Sequence, residues 1–305
     1  MDKVVVIVGP TASGKTALSI ALAKRINGEI ISSDSMQIYK DMDIGTAKVT
    51  KEEMDGIKHY LVDFVSPEKR YTVSDFKKDC TLAIEEIIKK GKTPIIVGGT
   101  GLYADSMING IEYPDMEFDD EYRNELMEKS QDPEELLKLW NEANKIDPEA
   151  MLKISKNDRK RIIRVLEIYK ATGKTKTQIE IESRKNGPKY DFKVFAVSMD
   201  RELLYDRINR RVDIMINNGL EDEVRNIIKK YNSFPTALQG IGYKEVVEYF
   251  DGKISREEMI DKIKQESRRY AKRQLTWFRK NKDIIWLDSN KNTIDFNVEE
   301  IIKEL

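Results

Sequence analysis

Short runs of β-branched and apolar residues alternate with stretches of helical period along the first third of the chain. Val4 to Val8, Glu29 to Ser32, Tyr60 to Phe64 and Pro94 to Val97 predict strands. Apolar residues at three and four spacing predict helices beginning at Lys15, Val73 and Gly101. Strands that alternate with helices predict a parallel sheet flanked by helices, an α/β fold. Past Tyr113-Pro114 the strand pattern stops, and Asp119 to Ser130, Pro133 to Asn144 and Asp158 to Ala171 carry helical periodicity. Phe192 to Ser198 restores a strand. Helices are then expected over Asp200 to Asn217, Leu220 to Tyr231, Tyr243 to Phe250 and Arg256 to Lys280, with a last strand at Ile284 to Leu287 before a terminal helix. The core is thus predicted at 1–111 and 190–305, with an inserted all-helical domain at 112–189. The seams fall at Asn109 to Asp115 and Arg184 to Tyr190, where Gly187-Pro188 interrupts regular structure.

Between the first strand and the first helix stands Gly9-Pro10-Thr11-Ala12-Ser13-Gly14-Lys15-Thr16, in the order that a P-loop requires. Its glycines let successive N–H groups turn inward, Lys15 adds a positive charge, and the Thr16 hydroxyl is the candidate ligand of a phosphate-bound Mg²⁺. A P-loop NTPase-like sheet that binds a di- or triphosphate follows. Most bearers of this loop bind ATP and keep a carboxylate after a second strand for the metal. Here Pro94 to Val97 runs instead into Gly98-Gly99-Thr100-Gly101, with no acid. The carboxylate appears in Ser33-Asp34-Ser35-Met36-Gln37, after another strand and at the sheet edge where open α/β folds bind ligands.

Charge narrows the partners. Charged residues are 35% of 305 and cancel to a formal net charge of −1, so a nucleic-acid partner must be gripped by a local basic face. Such a face is present. Lys160, Arg161 and Arg164 lie on a predicted helix whose buried side is supplied by Ile162, Ile163, Val165, Leu166 and Ile168. A second stretch, Arg268 to Lys280, interleaves cations with Tyr270, Trp277 and Phe278; core packing is the simpler role for its aromatics. One cysteine, Cys80, and one histidine, His59, exclude an internal disulfide and a Cys/His zinc site, and both read as structural. The acidic stretch Glu112 to Glu121 reads as a solvated linker. No leader pattern or membrane-length apolar run occurs, and no heptad calls for assembly. A cytoplasmic monomer with no membrane contact and no obligate protein partner is expected.

The set GPTASGKT at Gly9 to Thr16, DSMQIY at Asp34 to Tyr39, GTAK at Gly45 to Lys48, GGTGLY at Gly98 to Tyr103, Asn157 to Gly173, GIGYKE at Gly240 to Glu245 and KRQLTWFR at Lys272 to Arg279 resembles the tRNA dimethylallyltransferases. The resemblance implies transfer of a dimethylallyl group from dimethylallyl diphosphate to N6 of the adenosine 3′ of the anticodon in tRNA. The P-loop would then hold a diphosphate leaving group, with Mg²⁺. It further implies Asp34 as general base, Thr100 at the same centre, and Arg207, preferred over Arg211 one helical turn on, at the diphosphate. Contacts to tRNA are implied for Asp34, Ser35, Met36, Gln37, Thr100, Arg123, Lys160, Arg161, Ile162, Ile163 and Arg164, with the target base flipped into the cleft. Three alternatives stay open on the residues themselves: a prenyltransferase of free adenine nucleotides, a small-molecule or nucleotide kinase, and a non-enzymatic RNA-binding switch.

Overall fold

The computed structural model describes residues 1–113, 119–185 and 187–305. Six strands form one parallel sheet in the order β3-β2-β4-β1-β5-β6. They are β1 (Lys3–Val8), β2 (Gly28–Ser32), β3 (His59–Tyr60), β4 (Thr93–Gly98), β5 (Asp191–Ser198) and β6 (Ile285–Asp288). β1 pairs in parallel with β4 on one side and β5 on the other. Its period-2 alternation sends Val4, Val6 and Val8 into one core, with Phe76, Ile84 and Ile87 of α3 (Val73–Lys89) and Met107 of α4 (Gly101–Ile108). Val5 and Ile7 enter the opposite core, with Leu18 and Leu22 of α1 (Lys15–Arg25) and Val298 and Ile301 of α14 (Ile294–Lys303). Both layers are closed, so shortening any of these aliphatic side chains costs about 1–5 kcal/mol.

The strand expected over Tyr60 to Phe64 is shorter than its apolar pattern. It pairs only at His59 and Tyr60, because Leu61 and Asp63 take left-handed φ of 59° and 58° that no strand accommodates. The chain then turns so that Val65 forms an isolated parallel bridge with Tyr39. Short elements also appear that the apolar period does not mark: α2 (Lys51–Met54), α7 (Pro148–Met151), α9 (Lys176–Ser183) and a 3₁₀ turn over Ala237–Gln239. The remaining helices are α5 (Asp120–Lys129), α6 (Pro133–Ile146), α8 (Arg159–Thr172), α10 (Arg201–Asn217), α11 (Leu220–Lys230), α12 (Tyr243–Phe250) and α13 (Arg256–Phe278).

The chain separates into two compact units, Met1–Ile108 with Lys189–Leu305, and Asn109–Pro188. In the first, α10 to α13 build a third core on Val212, Val224, Tyr243, Val246 and Ile263. In the second, α5 to α8 close on Leu126, Leu139, Ala143, Met151, Ile162 and Leu166. Asp147 fixes this unit's turns by capping α7 and accepting from the N–H and hydroxyl of Thr177 in α9. The middle of the expected acidic linker, 114–118, and Asn186 of the second seam lie outside the described residues. Among the described residues no helix is long and apolar enough to cross a membrane.

Candidate active site

At the C-terminal end of β1 the chain must turn sharply and release the N-terminus of α1 without covering it. Gly14 does this with φ 92°, a backbone conformation at which a side chain is strained, and α1 carries neither a side-chain cap nor an acid in its first turn. Its N–H groups and positive dipole end are left for an anion. Lys15 folds over the loop and donates to the carbonyl oxygen of Pro10 at 2.6 Å. Burial, and then the neighbouring Arg211, pull the Lys15 ammonium down to about 7, opposed by the attraction of Asp34.

Helix α10 supplies three guanidiniums to this cleft, Arg207, Arg210 and Arg211. Arg211 reaches furthest in, with Nη1 3.4 Å from the Thr11 hydroxyl, and burial holds its pKa below the usual value. Arg207 stands beside Gly14, where a Cβ would lie 3.8 Å from its Nη2. Asp34 follows β2. Its Oδ1 accepts the N–H groups of Met36 at 2.8 Å and Gln37 at 3.3 Å, fixing the turn that carries Ser35, Met36 and Gln37. Thr100 meets this turn from the end of β4: its Oγ1 accepts the Ser35 N–H at 3.1 Å and lies 3.3 Å from the Ser35 hydroxyl.

Two cavities open here. One, of about 540 Å³, is lined by the P-loop, Arg207 and Arg211. The other, of about 340 Å³, is lined by the apolar Met36, Ile208, Val212, Met215 and Ile241 as well as by the charged Asp34, Arg211, Lys244 and Arg273. Asp34 and Arg211 line both, together with Thr11, Thr46 and Tyr270. A polyanion held by the P-loop and an apolar group beside it would therefore meet at one carboxylate.

Residues 37–281 match the IPP transferase family. A tRNA dimethylallyltransferase of Acetivibrio thermocellus is 49% identical over 306 aligned residues, covering 100% of this chain and 96% of that one. The chain belongs to the tRNA dimethylallyltransferase family. The solved tRNA isopentenylpyrophosphate transferase of Bacillus halodurans is similar with a TM-score of 0.74 at 44% identity, over 100% of this chain and 95% of that one. A eukaryotic dimethylallyltransferase acting on tRNA has a TM-score of 0.78 at 34% identity, over 94% of this chain and 74% of its own. Members of the tRNA dimethylallyltransferase family are prenyltransferase enzymes.

For a tRNA dimethylallyltransferase family member, the residues of interest outside the cleft lie on the helical unit. Lys160 and Arg161 are exposed on the first turn of α8, and Arg164 is half-buried, 3.4 Å from Glu167. Asp158 caps this helix, yet its first turn holds no acid, so cations crowd the positive end of the dipole. Of the other expected contacts, Ile162 and Ile163 have their side chains fully buried in the unit's core, behind the basic face. Arg123 is engaged by Glu167 through Nη1 at 2.7 and 2.9 Å, an ion pair within the helical unit.

Several side chains that build the cleft are not among the site residues the sequence predicts. Gln274 of α13 bonds to both the P-loop and Gly99. Tyr270, one turn earlier, lines both cavities, and its hydroxyl is pushed up to about 12 by burial and then by Asp34. Glu223 of α11 accepts from the N–H groups of Asp43, Ile44 and Gly45 and from the Tyr243 hydroxyl, pinning the Gly45 to Lys48 loop. Only its place within KRQLTWFR hints at Gln274; nothing near Glu223 in sequence marks its partner. Trp277 packs on Gly101 and Phe278 is buried, as core residues. His59 lines the larger cavity with Nδ1 2.9 Å from the Ile57 carbonyl oxygen, and burial lowers its pKa. Cys80 is buried in the sheet core, where desolvation pushes its thiol up and leaves it inert.

Proposed function

We propose that this chain transfers a dimethylallyl group from dimethylallyl diphosphate to N6 of the adenosine 3′ of the anticodon in tRNA, releasing diphosphate. The observation that carries the reading is the position of Asp34, on the wall shared by the P-loop cavity and a second cavity lined in part by Met36, Ile208, Val212 and Met215. In the reaction the bond between C1 of the allyl group and the diphosphate oxygen breaks, and its electron pair leaves with the diphosphate. The N6 lone pair forms the new bond to C1, and the N6 proton passes to the Asp34 carboxylate.

The allylic cation is delocalised, so the main demand is to stabilise charge growing on the leaving diphosphate. The open N-terminus of α1, Lys15, Arg207 and Arg211 meet that demand before the reaction starts. Ser35 and Thr100 fix the loop that carries Asp34. Met36 and Gln37 extend that loop toward the base, which must leave its stack to reach it. Lys160, Arg161 and Arg164 take tRNA phosphates, positioning the anticodon stem without reading sequence.

Magnesium fits this donor set in one manner only. Among the described residues no group of three or more His, Cys, Asp or Glu is gathered to hold an ion, so a divalent cation would arrive with the diphosphate and water. Thr16, which lines the cavity, would hold it from the protein's side. Bound there, Mg²⁺ would neutralise diphosphate charge.

The test is incubation of the full chain with Mg²⁺ and labelled dimethylallyl diphosphate, in parallel with unmodified tRNA and with AMP, ADP and ATP. Label entering tRNA alone is the expected result. Label entering a free nucleotide, or ATP consumption without label transfer, overturns the reading.

A further inference from the structure

We infer that Gln274 is a positioning residue that sets the spacing between the diphosphate cradle and the loop of the general base. This rests on the function proposed above. Gln274 is buried and uses both ends of its amide: Oε1 accepts the Thr11 N–H at 2.9 Å, and Nε2 donates to the Gly99 carbonyl oxygen at 2.9 Å. The amide cannot be reversed, because the P-loop offers a donor and Gly99 offers an acceptor. From Gly99 the connection continues through Thr100 to Ser35, next to Asp34.

The packing holds the distance from the other side as well. A Cβ at position 99 would lie 2.1 Å from the Gln274 amide nitrogen, so the Gly99 backbone is seated directly on this side chain. Helix α13 is itself fixed against α10 by the Arg268 bond to Asn209 and the ion pair of Lys264 with Asp213. One side chain on a clamped helix thus ties the P-loop that holds the leaving group to the loop of the group that takes the proton. Glutamate at this position would hold the Thr11 N–H but set a carboxylate oxygen against the Gly99 carbonyl; only its protonated form restores the donor.

The experiment compares wild type, Gln274→Met and Gln274→Glu as full chains, with rates expressed per molecule able to bind pyrophosphate so that misfolded protein is not counted. Gln274→Met is expected to lower kcat about 10²-fold while the pyrophosphate Kd moves by at most about threefold. For Gln274→Glu, the ratio of its kcat to that of wild type should rise as pH falls from about 8 to about 5.5, as the carboxyl gains its proton. If Gln274→Met does not fold, that ratio alone decides. A kcat within about twofold of wild type in every folded variant, or a pH-independent ratio for Gln274→Glu, overturns the inference. Absence of transfer by the wild type itself brings down the proposed function and this inference together; normal transfer by wild type and variants brings down this inference alone.

Discussion

The Lys15 ammonium lies 2.6 Å from the Pro10 carbonyl oxygen of its own loop, in the cleft that Arg211 enters. Desolvation, then repulsion from Arg211, lowers the Lys15 pKa from 10.5 to about 7 in the free protein. A bound diphosphate supplies the negative charge that favours the protonated form, so binding above about pH 7 should take up a proton. Calorimetry of pyrophosphate binding at about pH 8.5, in buffers of different ionisation enthalpy, is expected to show uptake approaching one proton, fading below about pH 6. Arg211→Met should weaken binding and reduce the uptake, because the like charge that depresses Lys15 is gone.

The same shift has a consequence for stability. Between about 7 and 10.5 the unfolded chain binds more protons at this lysine than the folded one. Its contribution therefore lowers the stability of the ligand-free protein as pH falls through that window, and the penalty is fully present below it. Lys15→Met should remove this part of the pH dependence, read from urea midpoints at several pH values.

Asp34→Asn separates chemistry from architecture. The side-chain oxygen of asparagine can still accept from the N–H groups of Met36 and Gln37, keeping the turn, but cannot take a proton. Transfer should fall by about 10²–10⁴ with tRNA affinity retained. Transfer near the wild-type rate would remove Asp34 from its role.

Glu223 is the anchor of the Gly45 to Lys48 loop, and its removal strands three backbone N–H groups and the Tyr243 hydroxyl. Glu223→Ala should destabilise the fold by about 2–4 kcal/mol, whereas Tyr243→Phe should cost less, about 1 kcal/mol. Urea unfolding with an unchanged m-value checks both.

On α8 the buried and exposed faces make opposite predictions. Lys160→Ala with Arg161→Ala should weaken tRNA binding and flatten the slope of log K against log salt by about 0.7–0.9 for each tRNA phosphate that is no longer neutralised. Ile162→Ala should leave that slope unchanged and cost about 2–5 kcal/mol of stability, because its side chain is wholly buried.

The strands, the P-loop and most long helices are legible in the sequence because each is a local pattern: a β-branched run, a glycine spacing, a three-four period. The strand expected over Tyr60 to Phe64 is overdrawn because periodicity does not report the left-handed backbone at Leu61 and Asp63. The short helices α2 and α9 lack an apolar stripe, although each opens with a capping box, Thr50 with Glu53 and Thr175 with Gln178, that marks a helix start locally. Asp34, Thr100 and Arg207 are marked by motif and family likeness. Gln274 falls within KRQLTWFR, but its role, like that of Glu223, is not legible, since each acts on backbone groups more than 170 positions away, a relationship no local pattern carries.

The most direct test of the central claim is product analysis. An unmodified tRNA treated with this chain, Mg²⁺ and dimethylallyl diphosphate is digested to nucleosides and analysed by mass spectrometry, with released diphosphate measured alongside. The account predicts N6-dimethylallyladenosine at the position 3′ of the anticodon, in equal amount to the diphosphate and absent when that adenosine is replaced by guanosine. An unmodified tRNA, or the added mass at a different position, would contradict it.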